Sequence, residues 1–433
     1  MKYFSVFILV IVCFISVSAQ QILTLDSAIS IALKNNYSIL ISKNESEISK
    51  NDATIGNAGM LPQLSLNASG TFADNNTKQE FSTGTVVSET GAISTGLNAG
   101  AALSWTIFDG FKMFISYDKL REISNMSEIS LKLEIENTIE KICTEYFQIV
   151  KQKQLLKAIE QNLELYDERV KIAETKWKIG SGSKLDYLQA KVDMNSQTSN
   201  YLTQKNAMKE LKISLNNLLA NNPENELDVE DSISIIYSPL YEELKTSVQT
   251  QNVQLLLQQK NIEIEKYSLR ELQSQAYPKL ILNGAYNFSR TDNQVGMILY
   301  NRNLGPSAGL TLSWNIFSGN VLKQQVANSK ILIENSELLF NETKSFVESS
   351  LLKAFNDFNN AKQILELEEE NIMFAKENID VALESFRLGS SNAIELKEAQ
   401  KSYEDAQSRL VNARYATKLA EIRLMKLNGM LVK

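Results

Sequence analysis

Glu395 and Glu398 lie three residues apart, just past the turn Gly389-Ser390-Ser391-Asn392, and residues with that spacing share one face of a helix. Two carboxylates on one face can work as an acid–base pair, hold a cation, or form an ordinary solvated surface. Acid–base or nucleophilic work needs partners that this chain does not offer. Its 433 residues contain no histidine, which removes the commonest general base and the commonest zinc ligand. Of its two cysteines, Cys13 falls in an apolar leader, and Cys143 sits between Ile142 and Thr144 on a helical pattern, where a buried packing role is expected. With no nucleophile–base pair and no metal constellation, the sequence argues against an enzyme and calls for no metal or cofactor. The net charge of −7, with both signs interspersed, makes nucleic acid a poor partner. What carboxylates can still do is electrostatic: a ring of them favours cations and resists anions.

The elements that would position these groups are written twice. Under a shift of 209 residues, Ser104-Trp105-Thr106-Ile107-Phe108-Asp109-Gly110 falls on Ser313-Trp314-Asn315-Ile316-Phe317-Ser318-Gly319, Ile179-Gly180 on Leu388-Gly389, and Asp186 on Glu395. Upstream the shift becomes 216, placing Leu61-Pro62-Gln63-Leu64 on Tyr277-Pro278-Lys279-Leu280. A chain made of two copies buries its core between them. The expected organisation is a signal peptide over residues 1–19, a first repeat over 20–219, a linker or equatorial segment over 220–239, and a second repeat over 240–433. Each repeat reads as helix, β-hairpin and long helical hairpin. The leader carries Lys2, an apolar run from Val6 to Val17, and the small-residue cleavage site Val17-Ser18-Ala19. No later stretch approaches the roughly eighteen apolar residues of a spanning helix, so any membrane insertion must use strands.

Each repeat opens on an amphipathic helix, from about Leu25 to Ala58 with Asp26 placed to cap it, and from about Tyr241 to Gln275. Pro62 and Pro278 then end the helical pattern at the helix–strand junction. Beyond them the period becomes two. Leu64, Leu66, Ala68, Gly70 and Phe72 alternate with polar residues, as do Leu97 to Ile107, Leu280 to Phe288 and Ala308 to Ile316. Each run is about ten residues, the length of a tilted strand across a bilayer, although a strand of a soluble sandwich alternates in the same way. The connections over 73–92 and 289–305, rich in Asn, Thr, Ser and Gly, read as long solvated loops. Trp105, Phe108, Trp314 and Phe317 place aromatics at one strand end in both copies, as a membrane-interface belt would; soluble-core aromatics would look the same.

After Gly110 and Gly319 the chain is helical for roughly seventy residues, about 105 Å. Ile142, Ile149, Leu156, Leu163, Val170 and Trp177 follow at steps of seven, and so do Leu351, Phe358, Leu365, Ile372, Ile379 and Phe386. A strict seven imposes a left-handed supercoil on a neighbouring helix, so a long coiled coil is expected. Gly180-Ser181 and Gly389-Ser390 then stop the long helices and start returning ones, which run to about Leu219 and Asn428. Within the linker, Ile233–Tyr237 is a candidate short strand, with a plain surface connector the preferred reading.

Two hairpins give four strands per chain, too few to close, and an open edge in lipid leaves backbone groups unpaired at several kcal/mol each. Several chains must combine, and three would give twelve strands. The ordered, duplicated motifs, covering essentially the whole mature chain, resemble the TolC family of outer-membrane efflux proteins (outer membrane factors). That resemblance implies an α+β membrane protein: a trimeric twelve-stranded β-barrel with four strands per chain, continuous with a long α-helical coiled-coil barrel built on the internal two-fold repeat. It implies a cell outer membrane location extending into the periplasm and a homotrimer in outer-membrane lipid. It further implies a periplasmic adaptor with an inner-membrane pump, or type I secretion. By the same resemblance, Glu395 and Glu398 form an acidic ring at the periplasmic mouth, and Asp186 helps clasp neighbouring helices shut. Gly180, Ser181, Gly389 and Ser390 lie at tips that contact the adaptor, or are passive connectors. The family's tyrosine and arginine partners for Asp186 are replaced here by Phe386 and Ser391. A salt-bridged clasp is therefore in doubt, packing and Ser391 hydrogen bonds are the expected substitutes, and Arg387 would need a different geometry. The function implied is a passive exit duct. The alternative is a secreted coiled-coil scaffold or adhesin without channel activity, using the strands for sheet packing; a soluble monomer would exclude the duct.

Overall fold

The computed structural model describes residues 22–237 and 239–431; the signal peptide expected over 1–19 lies outside the described residues. The elements are β1 (Ile22–Leu23), α1 (Leu25–Asn35), α2 (Tyr37–Asp52), β2 (Gln63–Glu80), β3 (Val86–Phe108), α3 (Lys112–Lys178) and α4 (Lys184–Leu218). There follow β4 (Asp228–Val229), α5 (Tyr241–Gln251), α6 (Val253–Ser274), β5 (Lys279–Asn293), β6 (Tyr300–Ser313), α7 (Val321–Leu388) and α8 (Ala393–Leu427). Two compact units emerge. One gathers the chain up to Ile41 with Glu134–Gln249 and Val347 onward; the other gathers Ser42–Leu133 with Thr250–Phe346.

The first unit is helical, with β1 and β4 forming a two-stranded parallel sheet. The heptad positions Ile142, Ile149, Leu156, Val170, Leu351, Phe358, Leu365, Ile379 and Phe386 are buried, as the steps of seven predict. Ile142 and Ile149 join Cys143, Tyr146, Leu215, Leu219 and Val229 in one core. Burial pushes the Cys143 thiol up to about 12, so it is a packing residue and no nucleophile. The linker is more than a surface connector. Its strand is Asp228–Val229 rather than Ile233–Tyr237, because Val229 enters the core while Lys153 pairs with Asp228 and Asp231. Tyr146 Oη donates to the Leu23 carbonyl, which ties β1 to the same site. Residues Ile236 and Tyr237 instead give their N–H groups to the Glu421 carboxylate.

Each opening helix is two helices. Asn36 and Asn252, equivalent under the 216 shift, interrupt them: each side-chain oxygen accepts two N–H groups of the following turn and so starts a new helix. Thr24, and not Asp26, caps α1, with its Oγ1 accepting from Ser27 N at 3.2 Å. α2 stops at Asp52, short of Ala58, where Asn57 Nδ2 donates to the Asp52 carbonyl and Thr54 Oγ1 accepts the Asn57 N–H.

The second unit carries an antiparallel sheet in the order β2-β3-β5-β6. Its strands exceed the expected ten residues: β2 has 18 and β3 has 23. Most of 73–92 and 289–305 is therefore ladder rather than loop. Polar residues do not prevent pairing, and the first hairpin narrows to a tight turn closed by Phe81 N donating to Thr85 O at 2.9 Å. The seven extra residues of the first copy lengthen strands. β6 ends at Ser313, which leaves Trp314 and Ile316 beyond it. Leu64, Leu66, Phe72, Leu97, Leu304, Leu310 and Leu312 share one face and are exposed, Leu66 by 84%. The opposite face carries Ser65, Asn67, Asn98, Asn287, Ser289 and Asn303. No helix among the described residues is long and apolar enough to cross a membrane.

Where β3 passes into α3, Gly110 and Phe111 both adopt left-handed backbone, with φ of 72° and 67°. A methyl group at Gly110 would collide with the Ser274 carbonyl and stand 2.8 Å from Tyr277 Cβ. Gly110→Ala should therefore lower stability by more than the roughly 1–2 kcal/mol that left-handed backbone alone imposes. Thermal unfolding followed by circular dichroism measures the loss, and an unchanged midpoint would contradict the close approach.

Candidate functional site

The two helical hairpins turn alike. Lys176 and Ser385 carbonyls accept the N–H groups of Ser181 and Ser390, each at 2.9 Å. Gly180 and Gly389 hold φ of 79° and 81°, which places a left-handed stop at both long helices. Restarting differs between the copies. Ser183 Oγ accepts from Leu185 N, whereas Asn392 accepts from both Ile394 N and Glu395 N and donates its Nδ2 to Glu395 Oε1 at 3.0 Å. Glu395 thus closes a reciprocal cap, with its carboxylate held near the helix N-terminus. Glu395 and Glu398 are exposed on α8, and Asp186 is half-buried on α4.

Behind these turns the two hairpins of the chain are tied by ion pairs that the sequence reading did not find. Arg169 on α3 is 2% exposed. Its Nη1 lies 3.1 Å from Asp193 Oδ2 on α4 and donates to Gln400 Oε1 on α8 at 3.1 Å. Lys397 on α8 donates to the other Asp193 oxygen at 3.1 Å. Arg387 reaches Glu168, and the Lys176 ammonium reaches the Phe386 carbonyl and sits 4.2 Å from its ring centre. Phe386 itself packs with Ile379, Leu396 and Ala399, against Leu165 and Ile172 of α3. The Ser391 hydroxyl, expected to bond across the closure, is buried with no partner among the described residues. The link therefore combines Phe386 packing with ion pairs at Asp193 and Arg387, and Ser391 adds no hydroxyl bond among the described residues.

Burial alone would raise the Asp193 carboxyl; hydrogen bonds from Gln189 and Lys397 and the charges of Arg169 and Lys397 outweigh it and hold the group below the usual value. Its contribution is present above the unfolded aspartate value and is lost as pH falls through the lower folded one. Glu404 is pushed up by burial, only partly offset by a hydrogen bond from Tyr166 and the charge of Lys401. Its penalty exists at neutral pH and lifts as pH falls through that raised value. One signal was available in the sequence: under the 209 shift Arg169 meets Asn378 and Asp193 meets Ser402, so the repeat breaks at both charges.

The junction aromatics act in register with the repeat. Trp105 Nε1 donates to the Met60 carbonyl at 2.9 Å, and Trp314 Nε1 to the Ala276 carbonyl at 3.0 Å. Each acceptor lies two residues before a proline, Pro62 or Pro278, so each indole pins the entry to its own hairpin. Phe108 meets Phe111 edge-on at 5.3 Å, and Phe317 is exposed.

The family model described as Outer membrane efflux protein matches residues 28–221 and 246–430. Outer membrane protein TolC of Escherichia coli is 20% identical over 383 residues, spanning 86% of this chain and 75% of that relative. Outer membrane efflux protein BepC of Brucella suis biovar 1 is 19% identical over 406 residues, spanning 94% and 85%. Among solved structures, the CmeC outer membrane channel of Campylobacter jejuni aligns with a TM-score of 0.78 at 17% identity, covering 94% of this chain and 85% of that one. Outer membrane protein VceC of Vibrio cholerae aligns with a TM-score of 0.75 at 14% identity, covering 94% and 96%.

Removing one member of a buried ion pair strands the other. Asp193→Ala should therefore lower unfolding stability by about 3 kcal/mol or more, while Arg169→Met combined with Asp193→Leu should recover most of the loss. A double-mutant cycle by denaturant unfolding measures the coupling, and simply additive losses would refute it.

Proposed function

The chain belongs to the outer membrane efflux protein family, and on that premise we propose that three copies form a passive exit duct whose closed state is held by the links between its helical hairpins. It is an outer-membrane channel protein and not an enzyme. The finer reading rests above all on the sheet. In one chain β2 and β6 are edge strands, and an unpaired edge cannot remain in hydrocarbon. Three chains would supply twelve strands and close every edge.

The repeat specifies how they close. Between the copies, β3 pairs with β5 so that Leu103 faces Gly284. Carried forward by the same shifts, β6 pairs with β2 of the next copy, with Leu312 facing Ala68. Gly319 supports this reading: a methyl group at Gly110 would collide with the second-copy junction, whereas one at its equivalent Gly319 would meet nothing within 4 Å among the described residues of one chain. Exposed Met373, Phe374 and Val381 on α7 likewise offer apolar surface to another copy.

Glu395 and Glu398 are assigned to an acidic ring at the duct's mouth, with Asp186 beside it. Gly180, Ser181, Gly389 and Ser390 are assigned to the contact with a periplasmic adaptor, through which an inner-membrane pump delivers cargo; small-molecule efflux and type I secretion both suit such a duct. Trp105, Phe108, Trp314 and Phe317 are assigned to the membrane boundary. Opening would separate the first hairpin from the second and so break the Arg169–Gln400, Asp193–Lys397 and Arg387–Glu168 contacts, which makes the passage closed unless a partner supplies that energy.

Cysteines at Ala68 and Leu312, joined by a short thiol-reactive cross-linker, should yield a covalent three-chain ladder on a denaturing gel; buried Cys143 would not compete. Cross-links only within one chain would overturn the closure. Replacing Glu395 and Glu398 together with Ala should weaken divalent-cation block several-fold in single-channel recording. Unchanged block would remove both residues from the gate.

A further inference from the structure

On the apolar face of the β2-β3-β5-β6 sheet, one cross-strand row breaks the pattern. Along β6 the face runs from Leu312 through Leu310, Ala308 and Pro306 to Leu304, and then meets Arg302. At about 3.4 Å per residue, Arg302 lies about 34 Å along the strand from Leu312. A strand tilt of about 40° reduces that to about 26 Å of depth, close to the roughly 25 Å apolar band of a membrane barrel. Arg290 of β5 stands directly opposite Arg302, so along β5 and β6 the apolar band ends on two guanidinium groups at the hairpin-turn end of the sheet.

Like charges placed directly opposite on a sheet are unfavourable. Among the described residues one carboxylate offsets the pair: Asp292 accepts from Arg290 at 2.8 and 3.2 Å. Arg302 has no acidic partner among the described residues, and its guanidinium lies 5.6 Å from the Phe288 ring centre. Tyr300 holds the Arg290 guanidinium in the same way at 5.4 Å. Immediately on the membrane side of this row, the face sinks into a depression of about 400 Å³. Its floor is Ala68 and Ala99, and its walls are Leu66, Tyr286, Phe288 and Leu304. A double cation beside an apolar trough has the form of a lipid: anionic head, hydrocarbon tail.

We propose that Arg290, Arg302 and this depression bind a membrane lipid whose headgroup carries phosphate, drawn from the leaflet at the hairpin-turn end. Its phosphate bridges the two guanidinium groups and relieves their repulsion, while one acyl chain fills the Ala68–Ala99 trough. The inference rests on the strands spanning the membrane, as read above.

The test is native mass spectrometry of the assembled protein released from phosphatidylcholine nanodiscs doped with phosphatidic acid or with diacylglycerol of the same chains. The wild type should retain phosphatidic acid over diacylglycerol. Arg290→Gln with Arg302→Gln should cut that retention roughly tenfold or more, Arg290→Lys with Arg302→Lys should keep much of it, and Ala99→Phe should lower it by filling the trough. Equal retention of the two lipids, unchanged retention in the double glutamine variant, or displacement by inorganic phosphate alone would each overturn the site. Single-channel conductance of the same preparations separates the two levels. A wild type that conducts but retains no phosphatidic acid sinks this inference alone, and one that never inserts sinks the channel reading with it.

Discussion

Everything in the sheet-bearing unit follows from one requirement: a backbone N–H or C=O in hydrocarbon must have a partner, because no water is there to supply one. Four strands in the order β2-β3-β5-β6 satisfy each other internally and leave two open edges. The duplication turns that deficit into a rule for assembly. The β3–β5 interface already joins a first-copy strand to a second-copy strand inside one chain, and its geometry is the pattern on which β6 and β2 of different chains can meet. The contrast between Gly110, hemmed in by Ser274 and Tyr277, and the open Gly319 is the same incompleteness seen at one atom.

The passage between helix and strand is held by chemistry that suits a boundary. Proline removes a donor and forbids continuation of the helix. An indole N–H from the end of the second strand of the hairpin, Trp105 on β3 or Trp314 just past β6, then satisfies a carbonyl just upstream, Met60 in one copy and Ala276 in the other. Tryptophan serves both needs, with an apolar body at the end of the sheet and one polar edge aimed at the backbone. Paired left-handed residues, Gly110-Phe111 and Gly319-Asn320, make the return turn.

In the helical unit the two halves are held together mostly by heptad packing, which repeats every seven residues and so does not by itself single out one register. The polar contacts supply the discrimination. Arg169, buried among three helices, can be satisfied only where Asp193 and Gln400 both arrive. A buried charge set of this kind is weak evidence for stability, and its better-attested use is to fix which arrangement is adopted. Placed behind the turns, it makes one arrangement of the two hairpins specific.

Periodicity carried much of this protein. Steps of seven fixed the long helices and their buried faces, steps of two fixed the strands and their apolar side, and the shift of one copy onto the other fixed the turns at Gly180 and Gly389. Those features are local or repeat-encoded, so the linear order of side chains determines them. Strand ends were not legible, because pairing partners far away in sequence extend a polar strand such as Asp74–Glu80 beyond its own propensity. Asn36 and Asn252 match under the 216 shift, yet each opening helix read as continuous, because the break shows only where the amides cap a new turn. The linker strand and the Arg169–Asp193–Lys397 cluster were decided by tertiary structure alone. Each depends on groups from distant segments meeting in a place with little water, where a hydrogen bond or ion pair outweighs the preference of any single residue.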